Sequence, residues 1–145
     1  IKIALSLSDP GIVAGFKDDL KSWMDKKIDY LFCNHEEAKT FCGSDNLEDL
    51  RDCAKTIFIT NGVNPTIVLE EKQTYEIPAY EAKAVDTNGA GDMFAGGVIH
   101  GLSEGWENNV SAKFGNFLAS KGVAEIGPRL KKNKYPEYLK EFSKK

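Results

Sequence analysis

Asp86-Thr87-Asn88-Gly89-Ala90-Gly91-Asp92-Met93-Phe94-Ala95-Gly96-Gly97 is the most informative stretch of this chain. Gly89, Ala90 and Gly91 have little or no side chain, so their backbone N–H groups can approach a ligand closely. Phe94, Val98, Ile99 and Leu102 then follow helical spacing, which places the glycines at a helix N-terminus. Free N–H groups and the helix dipole favour an anion there. Gly96 and Gly97 fall inside the helix at roughly 1 kcal/mol each relative to alanine. Close packing of the helix on a sheet or on a ligand would offset that cost. Asp92 stands at the anion-binding end, where its charge would repel phosphate rather than hold it. An ionised carboxylate beside a bound phosphate is suited to accept the proton of an alcohol attacking phosphorus. The neighbouring N–H groups would take up charge on the transferring group. The plainer reading is a helix-end charge without chemistry; glycines, acid and helix start together favour function.

Outward from this segment, strands alternate with helices. Ile1 to Leu7 alternates as a strand, followed by a turn at Ser6, Ser8, Asp9 and Pro10. Ile12 to Met24 has the spacing of an amphipathic helix, with Val13, Phe16, Leu20 and Met24. Tyr30 to Cys33 is a short apolar strand. Asn34 can cap a helix that stops near Gly43, and a second short helix is expected from about Leu47 to Ala54. Thr56 to Thr60 reads as a buried strand, Asn61-Gly62 as a turn, and Thr66 to Glu70 and Gln73 to Ile77 as paired strands. Val110 to Ala124 and Tyr135 to Phe142 read as helices. This order predicts an α/β fold, an open and mainly parallel sheet with helices on both faces. The polar stretch from Gly127 to Pro136, with Lys131, Lys132 and Lys134, reads as a solvated loop, with phosphate contact as the alternative.

Composition narrows the function. The 145 residues suit one domain or half of a larger one. Hydrophobic residues at 41% and charged residues at 28% exclude disordered and fibrous classes. A net charge of -3 disfavours nucleic acid as a partner. No apolar run approaches the roughly 20 residues of a membrane helix. Cys33, Cys42 and Cys53 match neither a disulfide framework nor a zinc knuckle, so reduced thiols and a cytoplasmic location are expected. Cys33 is expected to be buried and inert, His100 to be a surface or packing residue, and Trp23 and Trp106 to be core or interface side chains. Because Ile1 already lies within a strand pattern, the chain is expected to be part of something longer.

The stretch from Asp86 to Gly97 resembles the second signature of the ribokinase-like (PfkB) carbohydrate and nucleoside kinases, D-T-x-G-A-G-D-x-F-x-x-G. Asp86, Thr87, Gly89, Ala90, Gly91, Asp92, Phe94 and Gly97 fill every fixed position. The resemblance implies that Asp92 is the catalytic base and that Gly89, Ala90, Gly91 and the Asp92 N–H form the anion hole. It implies that Asp86 and Asn88 lie where many members bind a monovalent cation such as K+, partly through backbone oxygens. Asn34-His35-Glu36-Glu37 is similar to the family's N-x-x-E motif, which implies that Asn34 and Glu37 help set Mg2+ and phosphate. Thr60-Asn61-Gly62 resembles the T-x-G turn that lines the nucleotide site, although Pro65 stands where a further glycine is usual. Asn116 falls where the family completes its adenine pocket. Leu5 to Pro10 and Ile126 to Arg129 are similar to the adenosine-kinase-like branch.

The resemblance covers residues 1–145 as about the carboxyl-terminal half of a single family domain. Its amino-terminal half and lid, with most acceptor contacts, are not in this chain. The implied activity is transfer of the γ-phosphoryl of ATP, with Mg2+, to a hydroxymethyl group of a sugar or nucleoside. This part alone is expected to be inactive, and a homodimer is an option for the full-length form. The competing expectation is a non-catalytic nucleotide-binding module or truncated subunit.

Overall fold

Runs of β-branched and aromatic residues build one five-stranded sheet. Its strands are β1 (Ala4–Ser6), β2 (Tyr30–Asn34), β3 (Thr56–Asn61), β4 (Asn64–Glu70) and β5 (Thr74–Ile77), and they lie side by side in that order. The computed structural model describes residues 1–144, apart from the side chains of residues 25–27. β1, β2 and β3 are parallel, with Ala4 opposite Tyr30, Tyr30 opposite Thr56, and Asn34 opposite Thr60. β3, β4 and β5 are joined by turns of two and three residues, which only antiparallel neighbours can use. The open α/β sheet expected from sequence is therefore present, with its parallel part at β1–β3.

The chain forms two compact units. The first holds Ile1–Asn61 and Pro65–Glu76; the second holds Gly62–Asn64 and residues from Ile77 onward. In the first, one face of the sheet offers Leu31, Cys33, Ile57, Ile59 and Leu69 to a core shared with Val13, Leu20, Met24, Ala38 and Phe41. Those partners come from α1 (Pro10–Gly15), α2 (Lys17–Lys27) and α3 (His35–Cys42). Phe32 and Phe58, neighbours in register, stack on the opposite face with ring centroids 5.1 Å apart. Arg51 follows a short 3-10 turn (Leu47–Leu50) and donates to the Glu70 and Gln73 carbonyls and the Thr74 hydroxyl. One cation thus ties the β4–β5 hairpin to the helical layer.

The second unit contains α4 (Ala90–Ser103), α5 (Asn108–Val123) and α6 (Tyr135–Phe142). α4 and α5 meet at glycines. A Cβ on Gly97 would lie 2.9 Å from the Gly115 Cα, and one on Gly115 would lie 2.8 Å from the Phe94 carbonyl oxygen. The glycine cost inside α4 is therefore offset at Gly97 by helix-on-helix packing. Gly96 meets nothing within 4 Å. Phe114, Phe117, Leu118, Leu130 and Tyr138 form this unit's core, with Trp106 and Phe142 packed on it.

Several local expectations shift. The helix read from Ile12 to Met24 is two helices, because Phe16 at φ −125° and ψ 26° interrupts it. Gly11 and Gly15 weaken the first of these, and Asp9 starts it by accepting from the Gly11 and Ile12 N–H groups. Phe16 faces solvent instead of the core, as does Trp23 at 64% exposure. β1 is shorter than Ile1 to Leu7, since its pairing with β2 spans three residues. The helix expected over Leu47 to Ala54 contracts to the 3-10 turn capped by Asn46.

Candidate active site

The second unit supplies a helix N-terminus open to an anion. Gly89 is the N-cap of α4 in the left-handed conformation at φ +76°. It makes no side-chain cap, so the first-turn N–H groups keep their hydrogen-bonding capacity. The Ala90 N–H reaches the Thr87 carbonyl at 3.2 Å; among the described residues, those of Gly91 and Asp92 meet no protein acceptor. A Cβ at Gly91 would find nothing within 4 Å, so this glycine leaves space beside the N–H groups rather than serving packing. Asp92 is exposed in the same first turn.

The preceding loop is fixed by Asp86. Its Oδ1 accepts from the Asn88 N–H at 2.9 Å and its Oδ2 from the Gly127 N–H at 3.1 Å. Those two donors hold the carboxyl below its ordinary range. The Val123 carbonyl accepts from both the Val85 and Asp86 N–H groups. Pro128 lies against Gly89, with its Cα 3.0 Å from where a Cβ would stand. Sequence reading did not identify Gly127 and Pro128 as supports of the signature loop. The Gly-Pro dipeptide was the available signal, but it names a turn and not its neighbour.

In the first unit, Asn34, Glu37 and Thr60 gather at the carboxyl ends of β2 and β3. Ligands of open α/β sheets characteristically bind at that edge. Asn34 ends β2 and caps α3 in a closed capping box. Its Oδ1 accepts from the Glu37 N–H at 2.8 Å, while the Glu37 carboxylate accepts from the Asn34 N–H at 3.0 Å and from Nδ2 at 2.7 Å. Such a cap contributes about 1 kcal/mol to the helix. Glu37 is nonetheless 5% exposed, and burial pushes its pKa up, with the Asp9 charge adding in the same direction. Thr60 sits beside Asn34 in register and donates to the Cys33 carbonyl at 3.5 Å. The N-x-x-E and T-x-G residues thus share one edge.

The remaining residues separate. Gly62 is the first residue of the two-residue β3–β4 turn at φ +59°, as a type II′ turn requires. Pro65 is accommodated near the start of β4. Asn116 is buried on α5, with Nδ2 donating to the Ile77 and Pro78 carbonyls at 3.2 and 3.0 Å. Cys33 is buried, and desolvation raises its thiol pKa far above the ordinary range. His100 packs edge-on against Trp106 at 5.9 Å. Among the described residues, no three His, Cys, Asp or Glu side chains converge to hold a metal ion, and no helix is long and apolar enough to cross a membrane.

Residues 2–134 match the pfkB family of carbohydrate kinases. The chain is 36% identical to the adenosine kinase of Saccharomyces cerevisiae over 97% of this chain and 44% of that protein. Among solved structures, a probable sugar kinase from Rhizobium etli superposes with a TM-score of 0.90 at 25% identity, covering 97% of this chain and 44% of that one. The adenosine kinase of Sinorhizobium meliloti gives 0.84 at 26% identity, covering 89% and 41%. The chain therefore spans less than half the length of these proteins.

Proposed function

The chain belongs to the pfkB family of carbohydrate kinases, and on that premise we propose that it is the carboxyl-terminal, base-bearing part of a kinase. The reaction is transfer of the ATP γ-phosphoryl group to a hydroxymethyl group of a sugar or nucleoside. The observation that carries this reading is the start of α4: an uncapped turn, open space at Gly91, and an exposed carboxylate at Asp92. Asp92 takes the proton of the attacking hydroxyl, and the N–H groups of Gly89 to Asp92 stabilise charge on the phosphoryl group. By the family resemblance, Thr60 in the first unit and Gly62 and Asn116 in the second are the residues that would contact the nucleotide. Similarity to adenosine kinases and to a probable sugar kinase supports either acceptor class.

Mg2+ fits the Asn34–Glu37 edge in one respect. Glu37 is a buried carboxylate next to another negative charge, Asp9, and a divalent cation would relieve both the desolvation and the repulsion. Without a convergent ligand set, the ion would be held through water and nucleotide phosphates. When bound, it supplies neutralisation of phosphate charge. A monovalent cation such as K+ suits the Asp86–Asn88 loop through backbone oxygens, since both Asp86 carboxylate oxygens already accept N–H groups.

The test is ADP release from MgATP by the longest natural form of the protein, against pooled sugars and nucleosides, with Asp92→Asn alongside. Acceptor-dependent release should fall by roughly 10² or more in the variant, while ADP affinity stays near wild type. Near-normal turnover would remove Asp92 as the base. The competing reading is a nucleotide-binding module without turnover. ADP binding with no acceptor-dependent release would select it.

A further inference from the structure

The three helices of the second unit leave a space between them. Met93, Gly96 and His100 of α4, Leu118 of α5, and Tyr135 and Leu139 of α6 line an open cavity of about 340 Å³. That size falls within the roughly 300–1,000 Å³ of small-molecule sites. Gly96 has no atom within 4 Å of its Cβ position, so helix packing does not offset its cost as it does at Gly97. In the cavity wall it leaves the α4 backbone bare to an occupant. The Tyr135 hydroxyl reaches the Met93 Sδ at 3.7 Å, and a thioether is a weak acceptor. The His100 ring lies against Trp106 and Phe114, with centroids 5.9 and 5.7 Å away. Its ring nitrogens make no hydrogen bond among the described residues. The remaining wall is apolar, and no carboxylate, ammonium or guanidinium group lines it.

We propose that this cavity binds a small, flat, uncharged aromatic molecule that carries one hydrogen-bond acceptor. A phosphate or carboxylate entering it would lose hydration without meeting a cation, so charged ligands are excluded. A flat ring can lie over the bare backbone at Gly96 and touch both the Met93 sulfur and the Phe114 ring, contacts that favour an aromatic occupant. A carbonyl oxygen or ring nitrogen would replace sulfur as the partner of the Tyr135 hydroxyl, exchanging a weak hydrogen bond for an ordinary one. The cavity is separate from the proposed nucleotide contact on α5. Asn116 donates to the Ile77 and Pro78 carbonyls and stands two residues, about 200° of helical turn, from both Phe114 and Leu118. The ligand would pack on the helix that carries Asp92, but its binding requires neither ATP nor an acceptor alcohol. The inference therefore stands independently of the kinase reading.

The experiment titrates the longest natural form of the protein with quinoline and with naphthalene, following the Met93 methyl NMR signal. The two probes share one shape, and quinoline alone has a ring-nitrogen acceptor. Quinoline should shift the Met93 signal with a sub-millimolar Kd, and naphthalene should bind roughly 3- to 10-fold more weakly. Tyr135→Phe should abolish that difference and leave naphthalene affinity unchanged. Gly96→Leu fills the cavity and should remove binding of both probes. Its melting temperature should stay level or rise, because leucine suits a helix better than glycine. Saturating ADP should leave quinoline affinity unchanged. The proposal is overturned if quinoline does not bind, if it binds Gly96→Leu as tightly as wild type, or if ADP displaces it. Should Gly96→Leu fail to fold, equal affinities of wild type for the two probes, or undiminished quinoline affinity in Tyr135→Phe, would overturn it as well.

Discussion

Gly89 and Gly91 sit two residues apart, and the structure assigns them opposite consequences when replaced by alanine. At Gly89 the φ of +76° costs a non-glycine residue about 1–2 kcal/mol. The added Cβ would also strike the Pro128 backbone, with two carbon atoms at 3.0 Å and the carbonyl oxygen closer still. Ordinary contact would require Pro128 to retreat. Retreat also strains the bond from the Gly127 N–H to Asp86. Gly89→Ala should therefore lose at least about 1–2 kcal/mol, a sizeable part of the roughly 5–15 kcal/mol typical of a folded domain. Gly91 lies in the first turn with open space at its Cβ position. Alanine there should leave stability unchanged or raise it by up to about 1 kcal/mol. Its methyl group would intrude where phosphate approaches the N–H groups, so acceptor-dependent turnover should fall by about 10². Equilibrium urea unfolding of both variants gives the stabilities, and ADP release gives the turnover. If Gly89→Ala unfolds within about 0.5 kcal/mol of wild type, Pro128 does not press on the cap. Should Gly91→Ala retain full turnover, the N–H groups of this turn do not receive the phosphate.

Two further outcomes concern titrating groups. The Asp86 carboxyl is held below its ordinary value by the Asn88 and Gly127 N–H groups, so its ionised form stabilises the fold at pH values above the unfolded value of about 4. That contribution is lost as pH falls through the lower folded value. Acid unfolding of wild type and Asp86→Asn should therefore converge below about pH 4, and a constant gap down to low pH would contradict the assigned donors. The Cys33 thiol is buried and driven upward by desolvation, whereas Cys42 and Cys53 are half-buried. Alkylation at pH 8 followed by mass spectrometry should label Cys42 and Cys53 before Cys33, and early labelling of Cys33 would show that the β2 end opens readily.

The parts of the fold legible in the sequence are those fixed by short-range physics. Asn34 followed three residues later by Glu37 forms a capping box of reciprocal bonds within four residues, so the local sequence pattern and the structure coincide. Gly43 closes α3 in the left-handed conformation, as expected from a glycine after the last helical turn. The break at Phe16 was not legible, because Val13, Leu20 and Met24 keep helical spacing while the chain between them leaves the helix at a single residue. Periodicity records which side chains face the core, not whether the backbone between them is continuous.

The candidate site divides along the same line. The helix start at Gly89 and the helix that follows it could be read from the Asp86 to Gly97 signature, because both are set by local turn and helix geometry. What holds that turn in place comes from 41 and 39 residues downstream: Gly127 on Asp86, and Pro128 on Gly89. No periodicity links those positions, and the Ile126 to Arg129 segment reads locally as a loop. Its significance arises only when the chain returns to cover the N-cap. Gly89 is thus constrained twice, once by a φ that sequence reasoning can anticipate and once by a neighbour that it cannot.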